Sequence, residues 1–346
     1  MAGRSSNRVT VKDVAQEAGV STQTVSRVVN NVQGVLPVTR QRVQETINRL
    51  GYRPNVIARS LIQQRSCSLG LVATGIELYG PSSTLVGIEQ KANTCGYSLN
   101  LSLLLQPETD DVAPLLDGFL SRQVDGIIWA TQEIGNNMDW LDDEPLPIPI
   151  VFLEIRPRSG VFNVSIDSRY GGQIAVRHLI ACGYRKIGVI SGPTTWWSAR
   201  ERLQGWRDAL TEANLPSDPR QILEGNWSTG SGAQGLELLL TQFPEVEAIF
   251  VCNDQMALGV LQTSRKLGRR VPEDLAVIGY DDIPEAAYFW PPLTTVRQDL
   301  MTLGGTAVEL ISRLITSRRD GGDGNAADPE TTWLKPELII RGSSQA

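Results

Sequence analysis

Apolar positions fall into two regimes along the chain. Over the first fifty residues they recur at helical spacing in short blocks broken by glycine. Thr10 and Asp13 fit a capping box that opens a helix over Val11–Ala18, and Gly19 supplies the turn after it. Ser21 caps a second helix whose inward face is Val25, Val28 and Val29. A third starts at Thr39, turns Val43, Ile47 and Leu50 inward and ends before Gly51. Helix, glycine turn, helix and supporting helix make a helix-turn-helix layout, with a generic three-helix bundle as the competing reading.

From Ser68 the regime changes. Apolar runs at Leu69–Ala73, Ser98–Leu105, Gly126–Ala130, Ile148–Leu153, Ile187–Ile190, Ala248–Val251 and Leu275–Ile278 read as buried parallel strands. Amphipathic helical stretches such as Thr84–Cys95, Tyr170–Cys182, Ser198–Ala213 and Asp254–Leu267 lie between them. Repeated strand–helix units predict doubly wound parallel sheets, and the length left for them suits two lobes better than one. Such sheets bind ligands beyond the carboxyl ends of their strands, which points to the cleft between lobes.

Charge sharpens the division. The 346 residues carry a net −6, but residues 1–65 hold ten basic and three acidic side chains, a net of +7, which leaves −13 for the rest. A basic head on an acidic body predicts a polyanion partner for the head, against the plainer reading of a solubilising tail. With 41% hydrophobic and 20% charged residues the composition is globular, and no run of about 18 apolar residues suits a membrane helix. The polar start, Met1–Arg8, has no apolar signal segment, so a cytoplasmic protein is expected. Cys67, Cys95, Cys182 and Cys252 are scattered and read as reduced thiols; the lone His178 rules out a histidine metal cluster. Asn163 and Asn226 match glycosylation acceptors by chance.

The string Val11-Lys-Asp-Val-Ala-Gln-Glu-Ala-Gly-Val-Ser-Thr-Gln-Thr-Val-Ser-Arg-Val-Val-Asn30 resembles the DNA-binding head of the LacI/GalR (lactose-repressor) family. Outward residues of the second helix, Thr22, Gln23, Ser26, Arg27 and Asn30, are the donors and acceptors that read base edges in a major groove. Gly51-Tyr-Arg-Pro-Asn55 leads into Val56–Ile62, a helix too short to stand alone in water. The resemblance makes it a hinge helix that forms on DNA, with Asn55 and Ala58 at the contact and Leu61 wedged between base pairs. The alternative for Leu61, a core contact, lacks apolar neighbours.

Further motifs extend the resemblance to the chain's end: Ser198–Trp206, Cys252–Gly259, Gly279–Asp282 and Pro291–Gln298. They imply a periplasmic-binding-protein-like body. The expected fold is therefore a small all-α helix-turn-helix head plus an α/β body of two doubly wound parallel-sheet lobes. Its segments are a head over 1–54, a hinge over 55–65, a first lobe over 66–166 and 299–327, and a second over 167–298 and 328–346. The three crossovers fall near Ile166, Gln298 and residue 327, the last at the Gly/Asp-rich stretch 320–328.

Matched position by position, the resemblance implies an effector site. Arg202 is the guanidinium clamp, Asn253 the amide contact, Asp281 the paired acceptor and Trp227 the stacking platform. Glu154 stands where the family's namesake has an aspartate, one methylene shorter. Thr74 and Leu78 line the first lobe's wall, and Gln298 sits by a crossover. Trp196-Trp197 replace small residues of the namesake and predict a reshaped pocket, with Trp196 as a second platform. Without the family, Arg202 and Asp281 would read as surface ion-pair partners, and His178 reads as a packed core histidine.

The resemblance thus implies a homodimeric repressor of palindromic operator DNA, released by a small-molecule effector, without cofactor, metal or membrane. The end, Leu338–Ala346, carries no leucine heptads of the kind that build tetramers. Two carboxylates against one guanidinium suit a neutral sugar or glycoside better than a sugar phosphate. A purine corepressor is the alternative within the fold. A secreted sugar receptor is opposed by the basic head, and an enzyme by the lack of a nucleophile–base constellation. Gln23→Ala and Arg27→Ala should each cost roughly 1–3 kcal/mol on the cognate operator and relax discrimination at single base pairs. Gel shifts against single-base operator variants check this; an equal loss on every sequence would make them phosphate contacts.

Overall fold

The computed structural model describes residues 9–29, 33–52, 65–106, 108, 111–135, 137–142, 147–319 and 330–345. The chain forms two compact units, Met1–Ser66 and Cys67–Ala346. In the first, α1 (Val11–Ala18), α2 (Thr22–Val29) and α3 (Pro37–Leu50) close on Val14, Ala15, Ala18, Val25, Val28, Val43 and Ile47. The capping box is present: the Asp13 N–H donates to Thr10 Oγ1, and the Thr10 N–H to Asp13 Oδ2 at 2.7 Å. Gly19 takes a left-handed conformation at φ 63°, which ends α1 without the clash a Cβ brings. Ser21 Oγ accepts the Thr24 N–H at 3.1 Å. Helix α3 begins at Pro37, two residues before the expected Thr39, because proline at the first helical position needs no N–H partner.

The second unit holds two six-stranded sheets. The first orders its strands β11-β5-β4-β3-β1-β2, with β1 at Ser68–Ala73, β2 at Ser98–Leu103, β3 at Gly126–Ala130, β4 at Ile150–Leu153, β5 at Asn163–Ile166 and β11 at Thr331–Leu334. The second orders them β12-β10-β9-β8-β6-β7, with β6 at Ile187–Ser191, β7 at Ile222–Glu224, β8 at Ala248–Val251, β9 at Ala276–Asp281, β10 at Thr294–Arg297 and β12 at Glu337–Ile339. All pairings are parallel except β10 with β12. In each sheet the strand order reverses once, between β1 and β3 and between β6 and β8. Those reversals open a crevice at the carboxyl ends of the strands.

Helices cover the sheets: α4 (Tyr79–Thr94), α5 (Ala113–Ser121) and α10 (Leu300–Arg319) the first, α6 (Ser168–Ala181), α7 (Trp197–Glu212), α8 (Thr229–Gln242) and α9 (Asp254–Lys266) the second. The chain crosses between sheets after Ile166, after Arg297 and after Leu334. The third crossing departs from expectation. Residues 331–334, assigned to the second lobe, pair with β5 in the first sheet, so the boundary lies at 335–336 and not at 327. Loop composition drew the boundary too early, because a four-residue edge strand is too short to show its own pattern. Past β12, Ser343 and Ser344 stitch the chain under the second sheet: Ser343 Oγ donates to Val277 O and accepts the Thr294 N–H, and Ser344 Oγ lies 2.9 Å from His178 Nε2. His178 is half-buried in that contact, and burial lowers its pKa.

Helices α6 and α7 pack at backbone distance, since a Cβ on Gly205 would stand 2.1 Å from the Arg169 carbonyl oxygen. Gly205→Ala should therefore force the helices apart and cost the body about 1–3 kcal/mol. Gly305→Ala is the contrast. The nearest atom to its added Cβ is that of Lys91 at 3.9 Å, so the substitution should be neutral or stabilise α10. Urea unfolding of the two variants side by side tests the pair.

Candidate functional site

On the head, Thr22, Gln23 and Arg27 are exposed along α2, and Ser26 is half-buried. Asn30, Asn55, Ala58 and Leu61, with the expected hinge helix, lie outside the described residues. The three exposed side chains share one surface, opposite the Val25 and Val28 face.

In the body, one cavity lies at the carboxyl ends of both sheets. Thr74, Leu78, Glu154, Trp196, Arg202, Trp227, Asn253, Asp281 and Gln298 all line it. Five of them sit at strand ends on the crevice, Thr74 after β1, Glu154 after β4, Asn253 after β8, Asp281 ending β9 and Gln298 after β10, while Arg202 lies in the second turn of α7. The empty space measures about 900 Å³, including the part open to solvent.

Arg202 is its centre. Only 7% exposed, its guanidinium donates from Nη1 to the Cys252 carbonyl at 2.6 Å and from Nη2 to Gln298 Oε1 at 3.4 Å. Asp281 Oδ1 lies 3.8 Å from Nη1 and accepts from Gln298 Nε2 at 2.7 Å. The guanidinium lies 3.8 Å from the Tyr280 ring centre, a cation–π contact in a desolvated place. Arg202 and Asp281 are thus buried network partners and not a surface pair. Among the described residues that line the cavity, Arg202 Nε and Trp227 Nε1 are buried donors with no acceptor in the protein.

The carboxyls are shaped by burial. Desolvation pushes Asp281 up to about 6 against the pull of Arg202 and Gln298, and Glu154 up to about 7 against its hydrogen bond from Ile166 and the charge of Arg202. Behind them Asp254 is raised well above the usual range by burial and by Asp281; it accepts from Thr295 Oγ1 at 2.6 Å and from the Ile283 N–H at 2.9 Å. Glu154 Oε1 takes the N–H of Ile166, the last residue before the first crossover. Backbone strain gathers here too: Glu154, Trp227 and Asp281 have φ of 56°, 70° and 114°.

Asn253, which lines the cavity, also holds the local structure. It caps α9, accepting the Met256 N–H, and donates both amide hydrogens, to the Trp227 carbonyl and Gln255 Oε1, each at 3.0 Å. Only acceptor capacity on its oxygen remains for a ligand. Trp227 lies over Gly192, where a Cβ would come within 2.0 Å of the indole, and its ring meets Trp196 edge-on at 5.7 Å and 64°. Several lining residues lack a sequence signal of their own: Tyr79, Gln132, Ser198 and Gln255. The position of Gln132 two residues past β3 could have flagged it, since strand ends at a reversal point face the crevice.

The raised pKa of Glu154 links to stability with a definite sign. Folding favours its protonated form, so its contribution is complete below the ordinary carboxyl value and is lost as pH rises through about 7. Glu154→Gln removes that dependence while keeping an acceptor for Ile166. Between about pH 5 and pH 8 the wild-type body should lose more stability in urea than the variant. Parallel curves would mean that Glu154 stays ionised when folded.

The sequence profile of bacterial regulatory proteins, lacI family, matches residues 10–55, and that of a periplasmic binding protein-like domain matches residues 176–344. The HTH-type transcriptional repressor PurR of Haemophilus influenzae is 36% identical over 334 residues, 96% of this chain and 98% of that protein. The lactose operon repressor of Escherichia coli is 33% identical over 306 residues, 88% of this chain and 84% of that protein. Among solved structures, the lac repressor dimer bound to operator and the anti-inducer ONPF superposes with a TM-score of 0.86 at 31% identity, covering 98% of this chain and all of that one. A complex of the transcriptional regulator CelR with cellobiose gives 0.69 at 31% identity, covering 97% of this chain and all of that one. Capped three-helix head, paired parallel sheets, and the match of both along nearly the whole chain lead to one conclusion: the protein belongs to the lacI family of bacterial regulatory proteins.

Proposed function

We propose that this regulator is a repressor that holds a palindromic operator as a homodimer and is released from it by a neutral sugar or glycoside. It is a DNA-binding protein and not an enzyme. Major-groove reading falls to Thr22, Gln23, Ser26, Arg27 and Asn30, and the hinge contacts to Asn55, Ala58 and Leu61. The related lac repressor was solved as a dimer on operator. A second copy also suits the edge of the first sheet here, where Leu101, Leu103 and Leu105 stand 46%, 42% and 89% exposed on and beside β2. Among the described residues no helix is long and apolar enough to cross a membrane. A DNA-bound regulator of a bacterium works in the cytoplasm.

One observation carries the effector class: the cavity sets a cluster of buried polar groups against a broad apolar wall. Arg202, Asn253, Asp281 and Gln298 come from the second lobe, while Leu71, Leu85, Ile88, Leu153, Leu300 and Leu303 form a wall on the first. Carboxyls raised toward neutrality can both donate and accept, as hydroxyls require. Arg202 Nε and Trp227 Nε1, on residues that line the cavity, have no acceptor in the protein. A phosphate dianion would meet Asp281, which at about 6 is still mostly ionised at neutral pH, with a single, already engaged guanidinium to offset it. Thr74, Leu78 and the Trp196–Trp227 corner give the ring its apolar contacts.

A purine corepressor is the second reading, favoured by the identity to repressors named PurR and by the flat Trp227 platform. Isothermal titration separates the two. Neutral glycosides should bind the wild type, and Arg202→Ala or Asp281→Ala should weaken that binding at least about a hundredfold, or roughly 3 kcal/mol. The same sugars should release operator in gel shifts. Purine bases that bind while every neutral sugar fails would overturn the sugar reading.

A further inference from the structure

The paired tryptophans at 196 and 197 do more than line the cavity. Residues 194–198, leading from β6 into α7, meet the first lobe through backbone, hydroxyl and ring contacts. Trp196 pairs with Ile134 in an isolated antiparallel bridge. The Trp197 N–H donates to the Glu133 carbonyl at 3.2 Å, and Ser198 Oγ to Gln132 Oε1 at 3.2 Å. The Trp197 ring lies 6.2 Å from that of Trp333, on the strand that precedes the third crossover. We propose that Trp196 and Trp197 are a clasp between the lobes and that Trp196 sets how long a ligand the cavity accepts. The second half rests on the sugar reading; the first does not.

Both sides of the clasp are rigid before they meet. On the first lobe the Glu133 carboxylate, 1% exposed, accepts the Arg156 N–H at 2.8 Å and pairs with the Arg156 and Arg158 guanidinium groups. Asn137 ties the same loop to itself, accepting the Ile134 N–H at 3.0 Å and donating to the Gln132 carbonyl at 2.9 Å. On the second lobe Glu224 accepts from the Thr194 N–H and hydroxyl at 3.1 and 2.8 Å, and Arg200 donates to the carbonyls of Thr194 and Thr195. Two stiff edges joined by a few weak bonds open and close as a unit.

Trp196 is half-buried, one part in the cavity and the other toward solvent. Its ring reaches to within 4.0 Å of the Cβ position on Gly75, in the loop after β1, so it spans from one lip loop to another. A sugar ring lying on Trp227 meets Trp196 nearly at right angles. A second ring continuing past that corner has to displace the Trp196 ring, which takes it from its place beside Gly75 on the first lobe. Length discrimination and lobe closure therefore share one side chain.

The test uses the full chain as wild type, Trp196→Ala and Trp196→Phe. Hydrogen exchange without added ligand reads the clasp: Trp196→Ala should speed exchange at the Trp197 amide and across 331–334 by about tenfold or more, with Trp196→Phe close to wild type. Unchanged exchange in Trp196→Ala overturns the clasp. Calorimetry with methyl glucoside, methyl galactoside, cellobiose and lactose reads the length limit. Wild type should favour a methyl glycoside over the disaccharide sharing its non-reducing sugar, and Trp196→Ala should shrink that preference by about tenfold. Equal weakening of both probes marks a merely structural tryptophan and overturns the limit. A wild type that binds no probe, with lip amides behaving as expected, overturns the sugar reading and the limit with it, and the clasp stands.

Discussion

A single buried cation organises the body. Arg202 lies where α7 passes the ends of β8, β9 and β10, and it takes something from each: the Cys252 carbonyl, the face of Tyr280, the Asp281 charge and the Gln298 amide. A guanidinium removed from water is costly unless its donors are met and its charge is offset. Here the offset is incomplete by design of the neighbours, since the facing carboxyls are themselves pushed toward neutrality. The second sheet's strand ends are held to the geometry this one group demands, and Nε is left pointing at an unmet need.

The same seam stores strain. Three of its residues, Glu154, Trp227 and Asp281, adopt positive φ that non-glycine side chains resist, and each is held there by outside contacts. Ile166 grips Glu154, the Asn253 amide grips the Trp227 carbonyl, and Gln298 grips Asp281. Those grips come from both lobes' crossovers and caps, so a ligand that replaces one of them acts on the joints between lobes as well as on itself.

Much of this was legible from residues alone, and the losses have physical causes. Thr10, Asp13, Gly19 and Gly51 mark the head's helix ends because caps are local chemistry. Long apolar strands such as Ala248–Val251 stand out because both their faces are covered. Asn163–Ile166 and Thr294–Arg297 did not, because Asn163, Ser165, Thr294 and Thr295 are fully buried yet polar, with hydrogen-bond partners such as Ile155, Ser343 and Asp254 that no local pattern reveals. At the site, family motifs brought nine residues to one cavity that no local spacing could have joined. They did not show that Asn253 spends its amide on a cap, or that Gln132 faces Ser198, since those depend on how the lobes meet.

The three crossings of the chain bear on its birth as well as its working. Neither lobe is a continuous stretch: the first sheet's apolar face over Leu71, Ile128 and Leu153 is covered by α10 and flanked by β11, and the second waits for β12 and the two buried serines. A nascent chain that has emerged only as far as residue 166 therefore carries a partly covered sheet with an open edge. It stays in that condition through the making of almost the whole second lobe. Domain-by-domain maturation, the usual safeguard of long chains, is closed to this body. Its lobes are completed together, only once α10, β11 and β12 have left the ribosome, and any stall before then strands both.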